Sequence, residues 1–361
     1  MGKNSGRKKS HRKNHKKKKE RPAARDPNFV SEAGPGCFIA RRGGVGDAQE
    51  APDWMIGWED VDPADFVEDG EALEVPDIAL DPEECTVSVC NLDAHTKVAY
   101  VTVFETAVIG AHGRELTPGS TTDNDGKTLR CVTFVVLCPP FVFAHLGYLD
   151  LPEGRDLSSV VIESDVSEWR KHPDPSDEHP CLLGFPLGQA PGTTTASYLC
   201  TQGEDGELTH FFSGNLHAID FRCPIGTEVL AVADGVVAEA GDENTLTGIA
   251  VTNLFRWNSI LLEVGGDRSG GGPLLVEYVH LSRTLVRAGD RVAKGQVLGY
   301  SGSVGFSPEP HLHFSAFRSP DPGAPTVRVR FEGKSPGGAF LPRAGEWYDA
   351  GGRADPPPRA A

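Results

Sequence analysis

His311-Leu312-His313 stands in a run of strand-forming residues, and side chains on a strand alternate faces with a period of two. Both imidazoles therefore point the same way and can share a small ion. A second strand-like segment, Glu277-Tyr278-Val279-His280-Leu281, carries a third imidazole. A third segment, Ala218-Ile219-Asp220-Phe221, sets one carboxylate among apolar neighbours. Two imidazole nitrogens and one carboxylate oxygen leave a fourth position of a tetrahedral zinc open for water, the layout of a catalytic rather than a structural site. Spacing alone leaves blander readings open, because an H-x-H pair can be incidental and a strand Asp can be a turn or cap residue. His and carboxylate ligands also accept divalent ions other than zinc.

The elements that must position these groups are strands. Short runs rich in Val, Thr, Phe and Tyr recur at 86–90, 97–108, 128–137, 141–149 and 158–163, and again at 228–232, 235–240, 259–264, 274–280, 296–300 and 311–317. Turn chemistry such as Asp234-Gly235, Ala288-Gly289-Asp290 and Lys294-Gly295 separates the later runs. With 42 Gly and 28 Pro in 361 residues, the composition favours an all-β, loop-rich protein over a helical bundle. The expected organisation is a basic disordered tail (1–30), an acidic linker (31–84) and a β-sandwich-like domain of binding or scaffolding type (85–166). A Pro/Gly/Thr-rich linker (167–197), an antiparallel β-sheet domain holding the histidines (198–330) and a Pro/Gly-rich extension (331–361) complete it.

Charge is divided along the chain. Residues 1–25 hold twelve Lys/Arg and one acid, while residues 46–84 hold fifteen acids and no Lys or Arg, with Trp54 and Trp58 among them. The tail reads as an arm for nucleic acid or import factors, or as a solvated segment. It lacks the apolar stretch of a secretory signal, so the expectation is an intracellular protein with its eight cysteines reduced. The acidic body disfavours general nucleic-acid binding by the folded part. The longest apolar run, 134–149, is broken by Pro139-Pro140, which excludes a membrane-spanning helix.

The words around the histidines add to this. Ala218-Ile219-Asp220-Phe221-x-x-Pro224-x-Gly226-Thr227, Ala233-Asp234-Gly235-Val236-Val237, Tyr278-Val279-His280-Leu281, Gly289-Asp290-x-Val292-x-x-Gly295-Gln296 and Pro310-His311-Leu312-His313-Phe314 follow one another in order. Together they resemble the lysostaphin/LytM-type zinc endopeptidases over about 120 residues, from near 210 to 318. The resemblance implies a groove floored by antiparallel sheet and one Zn2+ per chain. It implies Asp220 and His313 as ligands, His311 as the general base toward the attacking water, and His280 as the group that orients that water or stabilises the oxyanion. Asn258 matches a family Asn of structural or substrate-facing type.

The sequence departs from the family where its usual first ligand stands four residues before the Asp, because that position is Leu216. His210 could be presented by a folded-back loop. His217, three residues before Asp220, faces the other side of an extended strand unless a bulge re-aims it. With no third ligand the domain would be degenerate. The resemblance implies a zinc metalloendopeptidase whose substrates are peptides of the peptidoglycan cross-link type. The alternatives are a non-catalytic binding or regulatory module, and an interaction protein acting through its charged N-terminal segments.

Overall fold

The computed structural model describes residues 30–41, 67–68, 71–72, 78–81, 83–91, 97–110, 113–138, 142–168, 174–193, 197–206, 208–211, 214–264, 272–321, 324–335 and 337–357. The basic tail and most of the acidic stretch, with Trp54 and Trp58, lie outside the described residues. Among the described residues the fold is all-β, with helix confined to three-residue 3-10 turns. No helix there is long and apolar enough to cross a membrane.

Two sheets form the upstream unit. In the larger, Thr128–Cys138 lies between Cys37–Arg41, Lys97–Phe104 and Gly119–Thr122, and Lys97–Phe104 pairs in turn with Val161–Glu168. The smaller runs Ile78–Asp81, Thr86–Asn91, Val142–Asp150, Ala107–Ile109. Between them Val87, Val89, Ala99, Val101, Val103, Phe134, Val136 and Leu146 form a closed apolar core, which makes the unit a sandwich.

Lys97–Phe104 is apolar at nearly every position rather than at every second one, and the packing explains why. Ala99, Val101 and Val103 face the sandwich interior, whereas Val98, Tyr100 and Phe104 face a second core shared with Phe211, Ile249, Ala250, Val251 and Phe306 of the downstream unit. A strand covered on both faces has no polar side to show. The junction is also hydrogen-bonded. Thr133 Oγ1 donates to the Ile249 carbonyl (2.6 Å), and the Val251 and Thr247 amides donate to Thr102 Oγ1 (3.0 Å) and Thr122 Oγ1 (2.8 Å). Gly248 has φ +107°, and a Cβ there would lie 2.2 Å from the Ser120 carbonyl oxygen, so only Gly allows this approach.

The downstream unit is built on a nine-stranded antiparallel sheet. Its order is Arg291–Val292, Gly235–Gly241, Ser259–Val264, Leu275–Val279, His311–Phe317, Ile219–Arg222, Tyr198–Gln202, Trp347–Asp349, Gly352–Arg353. One face covers a core that includes Phe185, Phe221, Tyr278, Leu312, Phe314 and Phe331. The segments expected as linker and tail take part. Glu178–Leu183 pairs in parallel with Arg328–Glu332, and Trp347–Asp349 extends the main sheet beside Tyr198–Gln202. Their turn-rich composition hides the residues that anchor them: buried Leu183, Phe185, Phe331 and Tyr348, and the Arg330–Glu178 pair at 2.8 Å. All eight cysteines are unbridged.

Candidate metal centre and groove

The site is a consequence of strand register. Ile219–Arg222 and His311–Phe317 pair so that Asp220 stands directly opposite His313, with Ile219 opposite Phe314 and Phe221 opposite Leu312. Alternation then sends Ile219, Phe221, Leu312 and Phe314 into the core and turns Asp220, His311 and His313 to the open face. His313 Nδ1 lies 2.9 Å from Asp220 Oδ1.

His210 arrives from a loop. The chain leaves Tyr198–Gln202, doubles back, and is closed by the Asp205 amide donating to the Leu216 carbonyl (2.9 Å). His210, wholly buried, puts Nε2 at 3.2 Å from His313 Nδ1 and 3.3 Å from Asp220 Oδ1. Gln202 organises this loop and the carboxylate together. Its Oε1 accepts from the Leu208 and Thr209 amides (2.9 and 3.0 Å), and its Nε2 donates to Asp220 Oδ2 (2.8 Å). Sequence reasoning missed Gln202, because no spacing rule ties it to His210 or Asp220.

His210, Asp220 and His313 are the group of ligand-type side chains that converge in this way. Zinc holds N and O ligands at about 2.0–2.2 Å, so tetrahedral ligands sit roughly 3.3 Å from one another. The observed separations of 2.9, 3.2 and 3.3 Å fit that donor set, and the open groove side leaves a fourth position.

Backbone carbonyls fix three of the four imidazoles. A carbonyl only accepts, so each nitrogen facing one carries a proton, and in the neutral ring the other nitrogen keeps its lone pair. His210 Nδ1 donates to Gly203 O (3.0 Å), His311 Nδ1 to Glu309 O (2.7 Å) and His280 Nδ1 to Val304 O (2.6 Å). All three Nε2 atoms are thereby acceptors. The His280 and His311 rings lie 4.5 Å apart, and His311 Nε2 is 3.8 Å from Asp220 Oδ1. His280 takes φ +65°, a left-handed conformation that a non-glycine residue adopts at a cost of about 1–3 kcal/mol.

Electrostatics favour the ligating forms of Asp220 and His313. Burial would raise the Asp220 carboxyl, but the surrounding His210, His311 and His313 rings hold it well below the usual carboxylate range. Burial lowers His313, against the opposing pull of Asp220. Burial, reinforced by His311 and His313, lowers His280 well below its ordinary value. An ionised Asp220 beside a His313 that burial biases towards its neutral form suits a divalent cation.

His217 lies elsewhere. It precedes the strand Ile219–Arg222, with Nδ1 donating to Thr326 O (3.0 Å) and Nε2 3.4 Å from Asp177 Oδ2 and 3.7 Å from Glu204 Oε2. Asn258 lies outside the groove lining. Its Nδ2 donates to the Asn244 and Leu281 carbonyls (3.1 and 3.0 Å) and its Oδ1 accepts from the Asn244 amide (2.9 Å). It pins two loops rather than facing a substrate.

The groove over the ligands has a volume of about 1370 Å³, above the roughly 300–1,000 Å³ of small-molecule pockets. Glu204, Asp205, Glu239, Glu277 and Asp321 line it, with Arg343 among the few basic groups. Glu277, on the groove floor, has its carboxyl pushed by burial, with Glu239 adding to it, up to about 7 from 4.5. Folding thus favours its protonated form. The associated stability is full below pH 4.5 and is lost as pH rises to about 7, a loss on the order of 3 kcal/mol. Glu277→Gln is expected to raise the melting temperature of the metal-free chain at pH 8 and leave it nearly unchanged at pH 4.5. Equal shifts at both pH values in thermal unfolding would contradict this assignment.

Residues 214–325 match peptidase family M23. Glycyl-glycine endopeptidase ALE-1 of Staphylococcus capitis is 41% identical over 101 residues, which are 28% of this chain and 24% of that protein. Lysostaphin of Staphylococcus simulans is 38% identical over 103 residues, 28% of this chain and 18% of that one. The peptidoglycan DD-endopeptidase ShyA of Vibrio cholerae is 33% identical over 95 residues, 26% and 18%. The matches therefore span about a quarter or less of these relatives. The crystallised catalytic domain of S. simulans lysostaphin is 29% identical over 37% of this chain and 87% of that domain, with a TM-score of 0.27. The intracellular expectation is corrected here, because relatives named for peptidoglycan act on a polymer that lies outside the cytoplasmic membrane.

Proposed function

We propose that this chain, whose residues 214–325 form a peptidase family M23 domain, is a zinc-dependent metalloendopeptidase acting on peptides of the peptidoglycan cross-link class. The observation that carries the reading is the convergence of His210 Nε2, Asp220 Oδ1 and His313 Nδ1 within 3.3 Å of one another. These three residues would hold the metal. When bound, it would polarise the scissile carbonyl and lower the pKa of water.

His311 is the general base. With its proton fixed at Nδ1 by the Glu309 carbonyl, Nε2 is free to take the proton of the attacking water and deliver it to the leaving amine. His280 is held neutral and with Nδ1 committed to Val304. Its Nε2 therefore accepts, and it orients the water rather than donating to an oxyanion. The substrate class follows from relatives named for glycyl-glycine and peptidoglycan bonds, and the acidic lining favours peptides that carry free amines.

The test is metal removal. Chelator-treated full-length chain is expected to lose hydrolysis of purified peptidoglycan and of a pentaglycine peptide, and to regain it with one equivalent of zinc. A zinc-loaded chain that cleaves neither substrate would overturn the peptidase reading and leave a non-catalytic binding module.

A further inference from the structure

We propose that Tyr100, a residue of the upstream sandwich, is a positioning residue for the metal site, so that the sandwich is a working part of the downstream unit. The inference rests on the metal reading above and goes beyond it, because the sandwich lies outside residues 214–325 matched by the family.

Tyr100 sits in Lys97–Phe104 with its side chain on the face turned to the downstream unit, 4% exposed. Its hydroxyl donates to the carbonyl of Leu208 at 3.1 Å. Leu208 is two residues before His210, and its amide is held from the other side by Gln202 Oε1. The Tyr100 ring stacks on Phe211, the residue after His210, with centroids 6.4 Å apart. The ligand is thus gripped on both flanks by one aromatic side chain. The same ring meets Phe306 edge-on at 6.0 Å, and the next residue, Ser307, places Oγ 3.2 Å from His311 Nδ1. One side chain therefore contacts the loop that presents His210 and the loop that supports His311.

The loop needs such support. Unlike Asp220 and His313, which are fixed by strand pairing, His210 belongs to no strand, and a loop anchored at few points samples many positions. Groups that fix a ligand's orientation commonly govern metal affinity by about 10–100-fold. Burial also raises the Tyr100 phenol well above its ordinary value, which keeps the hydroxyl a donor.

The test measures the zinc dissociation constant of the full-length chain by competition with a chromophoric chelator, beside metal-free thermal unfolding. Tyr100→Leu is expected to weaken zinc binding by about 10–100-fold. Tyr100→Phe keeps the ring and loses the hydrogen bond, so its loss is smaller, at most about tenfold. Val101→Ala is the control. Its side chain lies in the sandwich interior, so it lowers the metal-free melting temperature and leaves zinc affinity unchanged. Should Tyr100→Leu fail to fold, Tyr100→Phe decides.

Affinity unchanged in the Tyr100 variants, or weakened equally by Val101→Ala, would overturn the positioning role. A wild-type chain without measurable zinc affinity would overturn the metal reading itself, and this inference with it.

Discussion

His210→Ala is expected to abolish tight zinc binding, whereas His217→Ala is expected to leave one zinc per chain. Both substitutions remove a buried imidazole within ten residues of Asp220, so a general effect of lost packing would strike both alike. Only His210 brings a nitrogen lone pair to within 3.3 Å of both Asp220 Oδ1 and His313 Nδ1. His217 is held by Thr326 and faces Asp177 and Glu204. Removing a direct ligand exceeds the loss from removing a group that merely orients one, so affinity is expected to fall by more than about a hundredfold. A second consequence follows in the metal-free chain. His210 contributes to holding the Asp220 carboxyl low, so the variant's carboxyl titrates at higher pH. Metal content after dialysis, measured in the two variants side by side, checks the first expectation, and retention of zinc by His210→Ala would refute it.

His311→Ala gives the opposite pattern: zinc retained at one per chain and turnover lowered by about a hundred- to ten-thousandfold. His311 Nε2 lies 3.8 Å from Asp220 Oδ1, outside the convergent group of ligands. Its Nδ1 is engaged by Glu309 O, which on the proposed reading leaves Nε2 for proton transfer rather than coordination. Loss of zinc together with activity would instead make His311 a ligand.

The parts of this site readable in the sequence are those governed by strand period. Alternation is enough to put His311 and His313 on one face and Leu312 on the other. The remaining parts depend on contacts that no local rule encodes. His210 reaches the ligands because its loop folds back over the sheet, through Gln202 and the Gly203 carbonyl. Tyr100 acts across 108 positions of sequence, and its strand reads as an ordinary buried one until both of its faces are seen covered. The motif position marks Asn258 as structural or substrate-facing, and its three hydrogen bonds, to Asn244 and Leu281, are of the structural kind. Composition misled in 167–197 and 331–361, where turn residues outnumber the few apolar anchors that bind these segments to the sheet. The coarse fold, all-β with a sheet-floored groove, follows from strand composition and from the motifs together.

The central claim is that His210, Asp220 and His313 hold one zinc. Anomalous diffraction at the zinc edge from crystals of the full-length chain tests it most directly. The account predicts a single peak about 2.0–2.2 Å from His210 Nε2, Asp220 Oδ1 and His313 Nδ1. A zinc-soaked crystal with no peak there, or with its peak at His217, Asp177 and Glu204, would contradict it.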